Sequence, residues 1–117
     1  MKRIIILMML AVVAASCVQE VKKHTVTFRL SAEGITQGSR VAIKGTDKPL
    51  SWEQDVVMPY DSTSGYYTAT VTFYTGYLFT EYKYTANGVY ELEGQENREV
   101  IFNESGNTVV SDVFNKR

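Results

Sequence analysis

The chain has 117 residues, with 12 basic and 13 acidic side chains and a single cysteine, Cys17. Leaving out Lys2 and Arg3, which belong to the export signal read below, 10 basic residues stand against 13 acidic ones and are dispersed, a balance that argues against nucleic acid as a partner. One cysteine excludes an internal disulfide and a cysteine-based metal site, so the fold must be held by packing.

Lys2 and Arg3, the apolar run at residues 4–13 and the small Ala14-Ala15-Ser16 ahead of Cys17 have the order of an export signal. The run is about half of the ~20 apolar residues that a spanning helix needs, so it reads as an address and not as a membrane span. Ala14-Ala15-Ser16-Cys17 resembles a bacterial lipobox, with Ala14 where Leu is usual. That resemblance implies cleavage before Cys17 and lipid on its sulfur. The expected organisation is a signal peptide at 1–16, a lipid-anchored tether at 17–24 that includes Lys22, Lys23 and the only histidine, His24, and one domain at 25–117. Roughly 100 residues are enough for one core.

In the domain, Val26, Phe28 and Leu30 alternate with Thr25, Thr27 and Arg29, the period of a strand with one buried face. Glu33-Gly34 and Gln37-Gly38 signal turns, and Val41 and Ile43 alternating with Arg40, Ala42 and Lys44 predict a second strand. Residues 45–54 carry Gly, Asp, Pro and the lone Trp52 and read as a loop, followed by a short apolar piece at 56–58. After a turn at 61–65, residues 66–73 make the clearest strand, with Tyr67, Ala69, Val71 and Phe73 on one face and threonines on the other. Gly76 ends it, and residues 78–85 form the next, with Tyr82 and Tyr84 on one side and Glu81 and Lys83 opposite. Asn87-Gly88 predicts a two-residue type I′ hairpin leading to a return strand at 89–92. Residues 99–102 and 108–114 complete the set, and no segment has helical periodicity. About seven to eight short strands predict an all-β fold, an antiparallel immunoglobulin-like β-sandwich.

No catalytic set is legible. With His24 in the tether and no cysteine in the domain, Ser/His triads and common zinc sites are excluded. Glu91, Glu93, Glu96 and Glu99 are concentrated enough to be weighed as glycosidase acids or calcium ligands. Strand geometry instead puts Glu91 and Glu93 on one solvated face, and no calcium-loop spacing is present. The expectation is a non-enzyme with no catalytic residue, no metal and no cofactor. Aromatic residues say more, because eight Tyr and one Trp exceed what a core of this size takes. Flat rings stack on the apolar faces of sugars and carry a polar edge. Tyr67, Tyr82 and Tyr84 fall on inward faces, and Tyr66, Tyr74, Tyr77 and Tyr90 are the surface candidates. Trp52 is either a surface ring or a loop ring folded over the core.

Val26-Thr27-Phe28, Gly38 ahead of Val41-Ala42-Ile43-Lys44-Gly45, and Leu50-Ser51-Trp52 resemble the opening of a starch-binding domain of carbohydrate-binding module family 20. The similarity continues through Thr70-Val71-Thr72-Phe73, Gly76, Glu81-Tyr82-Lys83-Tyr84, Glu93, Asn97-Arg98 and Thr108-Val109-Val110-Ser111-Asp112, and so spans nearly the whole domain. The resemblance implies a sugar site in which Trp52 stacks on a glucose face, Lys83 and Asn97 reach its hydroxyls and Glu93 assists. In that family a second ring stands just before the glutamate that precedes Asn-Arg. Leu92 occupies that place here, and Tyr90, two residues earlier, is the substitute. The family's second site needs aromatics where Gln37 and Tyr60 or Tyr67 stand, and is expected to be altered or absent.

Together these readings imply a non-catalytic module for starch, glycogen or a related α-glucan, exported and lipid-anchored to a bacterial membrane through Cys17. Membrane contact is expected through that lipid only. Polysaccharide-degrading enzymes or transporters are the expected neighbours, and nucleic acid is not a partner. The alternative is a structural or protein-interaction lipoprotein whose sugar site has degenerated.

Overall fold

The computed structural model describes residues 20–117. The expected signal peptide, the lipobox and the lipidation site Cys17 lie outside the described residues. Within them the fold is all-β without a helix: β1 (Lys22–Ser31), β2 (Val41–Gly45), β3 (Val56–Val57), β4 (Tyr60–Asp61), β5 (Tyr66–Thr75), β6 (Phe79–Ala86), β7 (Val89–Tyr90), β8 (Arg98–Ile101) and β9 (Asn107–Val113).

These strands form two sheets, one ordered β4-β5-β1-β9 and the other β3-β2-β6-β7, with β8 also on β6. The alternation in β1 and β5 is resolved as expected: Val26, Phe28 and Leu30 lie buried opposite Val71, Ala69 and Tyr67. From the other sheet, Val41, Ile43, Tyr82 and Tyr84 meet them, and Leu50, Met58 and Phe102 close the same core. Phe28 packs edge-on against both Phe73 and Tyr82, which ties the two sheets ring to ring. The predicted Asn87-Gly88 hairpin is present, with Asn87 at φ 52° and Gly88 at φ 80° between the paired Ala86 and Val89.

Four sequence expectations are corrected. The pairing is not wholly antiparallel, because β9 runs parallel to β1. Nine strands replace seven or eight, since the two-residue β4 is too short to show a period and still pairs with the start of β5. His24, expected in the tether, is the third residue of β1 and is buried, its ring stacked on Phe102 at 4.3 Å and 10°. Glu91, expected in solvent, is 0% exposed.

Its burial follows from how the second sheet is closed. β2 occupies one edge of β6 over residues 82–86, whereas β8 covers residues 79–82 of the other edge and β7 covers residues 85 and 86. Between them the chain leaves the edge at residues 91–97 and returns. The backbone N–H of Tyr84 donates instead to the Glu91 carboxylate at 3.0 Å, while Glu91 N donates to Tyr84 O at 3.1 Å. From the far side of the excursion, Arg98 grips that carboxylate in a fork, Nε to Oε2 at 2.7 Å and Nη2 to Oε1 at 2.8 Å. Asn115 N donates to Glu91 Oε1 at 3.1 Å. Arg98 also donates to the carbonyls of Val113 and Lys116 and to Asp112, and Asp112 accepts the hydroxyls of Tyr82 at 2.8 Å and Tyr84 at 2.7 Å. The network therefore joins β6 and β8 of one sheet to β9 of the other.

Removing Arg98 leaves a fully buried carboxylate without its counter-charge. Arg98→Ala is expected to lower stability by about 3–5 kcal/mol, read from the denaturant midpoint of the variant. A second signature is alkaline. Burial first, and then the Asp112 carboxylate, push the Tyr82 hydroxyl far above the ordinary tyrosine value of 10.0. The unfolded chain then loses this proton first, so stability is full below about pH 10 and falls as pH rises above it. The fall is expected to be shallower in Tyr82→Phe, measured as unfolding free energy against pH.

Candidate functional site

The outward faces of β2 and β6 are built by the same alternation that buries Ile43 and Tyr82. Lys44 stands directly across from Lys83, and Tyr90 of β7 stands across from Thr85, one outward step further along β6. Lys44, Lys83 and Tyr90 therefore share one surface.

The loop after β2 brings Trp52 to it. Leu50 is buried against Gly45, where an added Cβ would lie 2.7 Å from Leu50 Cδ1 and 2.8 Å from the Glu81 carbonyl oxygen. Glycine thus lets Leu50 anchor the loop in the core, and the chain then turns outward. Trp52 Nε1 donates to Thr46 Oγ1 at 3.2 Å, and the Trp52 carbonyl accepts from Lys44 Nζ at 3.3 Å and from the Tyr90 hydroxyl at 3.2 Å. The indole and phenol rings lie 6.4 Å apart at 43°, with Tyr90 39% exposed and Trp52 half-buried. Lys44 Nζ sits 5.4 Å from the Tyr90 ring centre and 3.5 Å from Asp55. The result is a tilted two-ring surface with fixed backbone and an ammonium at its edge.

The structure brings together three of the five residues expected from sequence: Trp52, Tyr90 and Lys83. Leu92 is only 3% exposed and has turned inward, so the second ring is Tyr90. The reason is Glu91. It is this glutamate that pairs with Arg98, which places the aromatic immediately before it, Tyr90, on the surface beside Trp52. The chain then turns at residues 92–96, where Leu92 has φ 51°. Lys83 is partly committed, since its ammonium donates to the carbonyls of Leu92 at 3.3 Å and Gln95 at 2.9 Å and holds that turn down. An ammonium has three donors, so one is left for a ligand. Asn97, just before β8, is half-buried, and Glu93 is exposed in the turn.

Sequence reading missed Lys44 and Thr46 as parts of the surface. Lys44 was legible, because it alternates with Ile43 and Gly45. The hydrogen bond from Trp52 to Thr46 was not, since it depends on how the loop folds back. On another part of the molecule Gln37, Tyr60 and Tyr67 do meet, lining with Arg40 and Met58 a groove of about 720 Å³ in which the two tyrosine rings are 5.1 Å apart at 54°. Among the described residues no group of three or more His, Cys, Asp or Glu is placed to hold a metal ion.

Gly45→Ala is expected to disturb this surface by displacing Leu50. Overpacking at such a position costs about 1–3 kcal/mol, visible as a lower denaturation midpoint together with a changed Trp52 fluorescence maximum in the native state.

No model of a known protein family matches the chain, and no curated protein matches it.

Proposed function

We propose that the chain is a non-catalytic module that binds an α-glucan such as starch or glycogen, on an immunoglobulin-like sandwich held at a bacterial membrane by lipid on Cys17. The observation that carries the reading is the pair of Trp52 and Tyr90, two rings on one sheet face at 6.4 Å and 43° with Lys83 and Lys44 beside them. A tilt between rings suits a curved polymer, in which successive glucose faces are not coplanar. Trp52 stacks on one sugar face and Tyr90 on the next, while Lys83 and Asn97 offer hydrogen bonds to the hydroxyls. Stacking of this kind is worth about 0.5–1.5 kcal/mol per ring beyond area burial. A single site is therefore weak, and several copies on one polymer would raise retention through effective concentration. Display on a lipid anchor suits that use, holding polysaccharide near a degrading enzyme or transporter.

The alternative, a structural or protein-interaction lipoprotein, is favoured by one observation: two of the Lys83 donors are already taken by the turn at 92–95. The two readings separate in affinity electrophoresis of the purified protein through gels containing amylose, glycogen, cellulose or no polymer. Retardation by the two α-glucans alone is expected, with Trp52→Ala and Tyr90→Ala each weakening it by ~10-fold or more, about 1.4 kcal/mol. Equal mobility in all four gels would reject the glucan site in favour of a protein partner.

A further inference from the structure

The end of the molecule where β1 begins carries exposed apolar side chains that the sugar surface does not use. The loop from β5 to β6 presents Tyr77 at 62% and Leu78 at 75% exposure, and Phe79 follows at 43%. Directly across from Phe79 stands Ile101, 69% exposed. Single exposed apolar residues are ordinary on any surface, but here three in succession and a cross-strand partner form one tip. The next outward pair along β6 and β8 is Glu81 opposite Glu99, so the apolar character stops abruptly one step up the sheet.

The chain enters at the same end. Lys22 is paired with Thr75, the last residue of β5, and Glu20 and Lys22 line a shared hollow with Tyr77 and Leu78. Cys17 is five residues before Lys22. Even fully stretched, five residues reach only roughly 18 Å. A lipid on Cys17 would therefore hold this tip, and not the sugar surface, against the bilayer.

We propose that Tyr77, Leu78, Phe79 and Ile101 form a membrane-contacting tip that seats the domain on the lipid surface to which Cys17 is anchored. The inference rests on the lipid-anchor reading above. Tyr and apolar side chains of this mix partition into the headgroup boundary, where an aromatic ring keeps its hydroxyl in water. Glu20 and Glu104 share the rim with Lys22, so the contact draws on apolar side chains and depends little on lipid charge. The seat also orients the site. Thr85, opposite Tyr90, is six residues along β6 from Phe79, which at about 3.3 Å per residue places Tyr90 roughly 20 Å from the tip, while Trp52 lies nearer, bonded to Thr46, which shares a hollow with Tyr77 and Phe79.

The test uses the full chain as the cell processes it, reconstituted in vesicles of phosphatidylethanolamine and phosphatidylglycerol. An environment-sensitive fluorophore is placed at Leu78→Cys or, as control at the opposite end of β6, at Val89→Cys. Both positions are exposed, and retained glucan binding or an unchanged circular dichroism spectrum verifies folding. The expected result is a blue-shifted label at 78, quenched several-fold more than the label at 89 by nitroxide-bearing lipid, and unchanged by added salt. Thiol labelling of the unsubstituted protein separates the two claims. A reactive Cys17 would overturn the anchor and the tip with it, whereas a blocked Cys17 with equal quenching at 78 and 89 would overturn the tip alone.

Discussion

The carboxylate of Glu91 takes the place of a missing strand. Where the edge beside β6 is interrupted, the Tyr84 N–H would be buried without an acceptor, at a cost of about 1–3 kcal/mol. Glu91 supplies that acceptor from inside the core, a solution that is stable only if the buried charge is itself fully matched, since the penalty for an isolated buried ion is several kcal/mol. The match is close to complete. Each Glu91 oxygen accepts two hydrogen bonds, from Tyr84 N and Arg98 Nε on one side and from Arg98 Nη2 and Asn115 N on the other. A carboxylate has about four lone-pair sites, and all are used. Burial alone would lower the affinity of the Arg98 guanidinium for its proton, and the Glu91 carboxylate, together with Asp112 and Tyr84, more than offsets this.

What the pair positions is the surface on the other side of the same sheet. With Glu91 fixed inward, Tyr90 must point outward beside Thr85, and its hydroxyl meets the carbonyl of Trp52. On the far side of β6, Gly45 and Leu50 fix the loop that carries Trp52. Two separate core anchors thus set the two rings.

Much of the strand pattern was legible because period-two alternation reports burial directly, as in Val26, Phe28 and Leu30 or Tyr82 and Tyr84. The Asn87-Gly88 turn was legible for a similar reason, since few residue pairs accept positive φ at both positions. The parallel pairing of β1 with β9 was not, because register between distant strands leaves no local trace. His24 was misplaced because a polar residue beside Lys22 and Lys23 looks like linker, and only the stack on Phe102 reveals it as the start of a strand. Glu91 was misread through the same alternation that succeeded elsewhere: treating 89–92 as a regular strand puts Glu91 and Glu93 in solvent, whereas the strand in fact ends at Tyr90 and the backbone turns. Tyr90, read from sequence as the substitute for a ring missing at Leu92, is the ring set outward beside Trp52, and Leu92 is buried.

The most direct test is a titration followed by nuclear magnetic resonance on the isotope-labelled protein, with maltoheptaose and, in parallel, cellohexaose. A sugar surface formed by the two rings requires the Trp52 indole N–H and the amides of Lys44, Lys83 and Tyr90 to shift saturably with maltoheptaose and to stay in place with cellohexaose. Unchanged spectra, or shifts confined to the groove around Tyr60 and Tyr67, would contradict it.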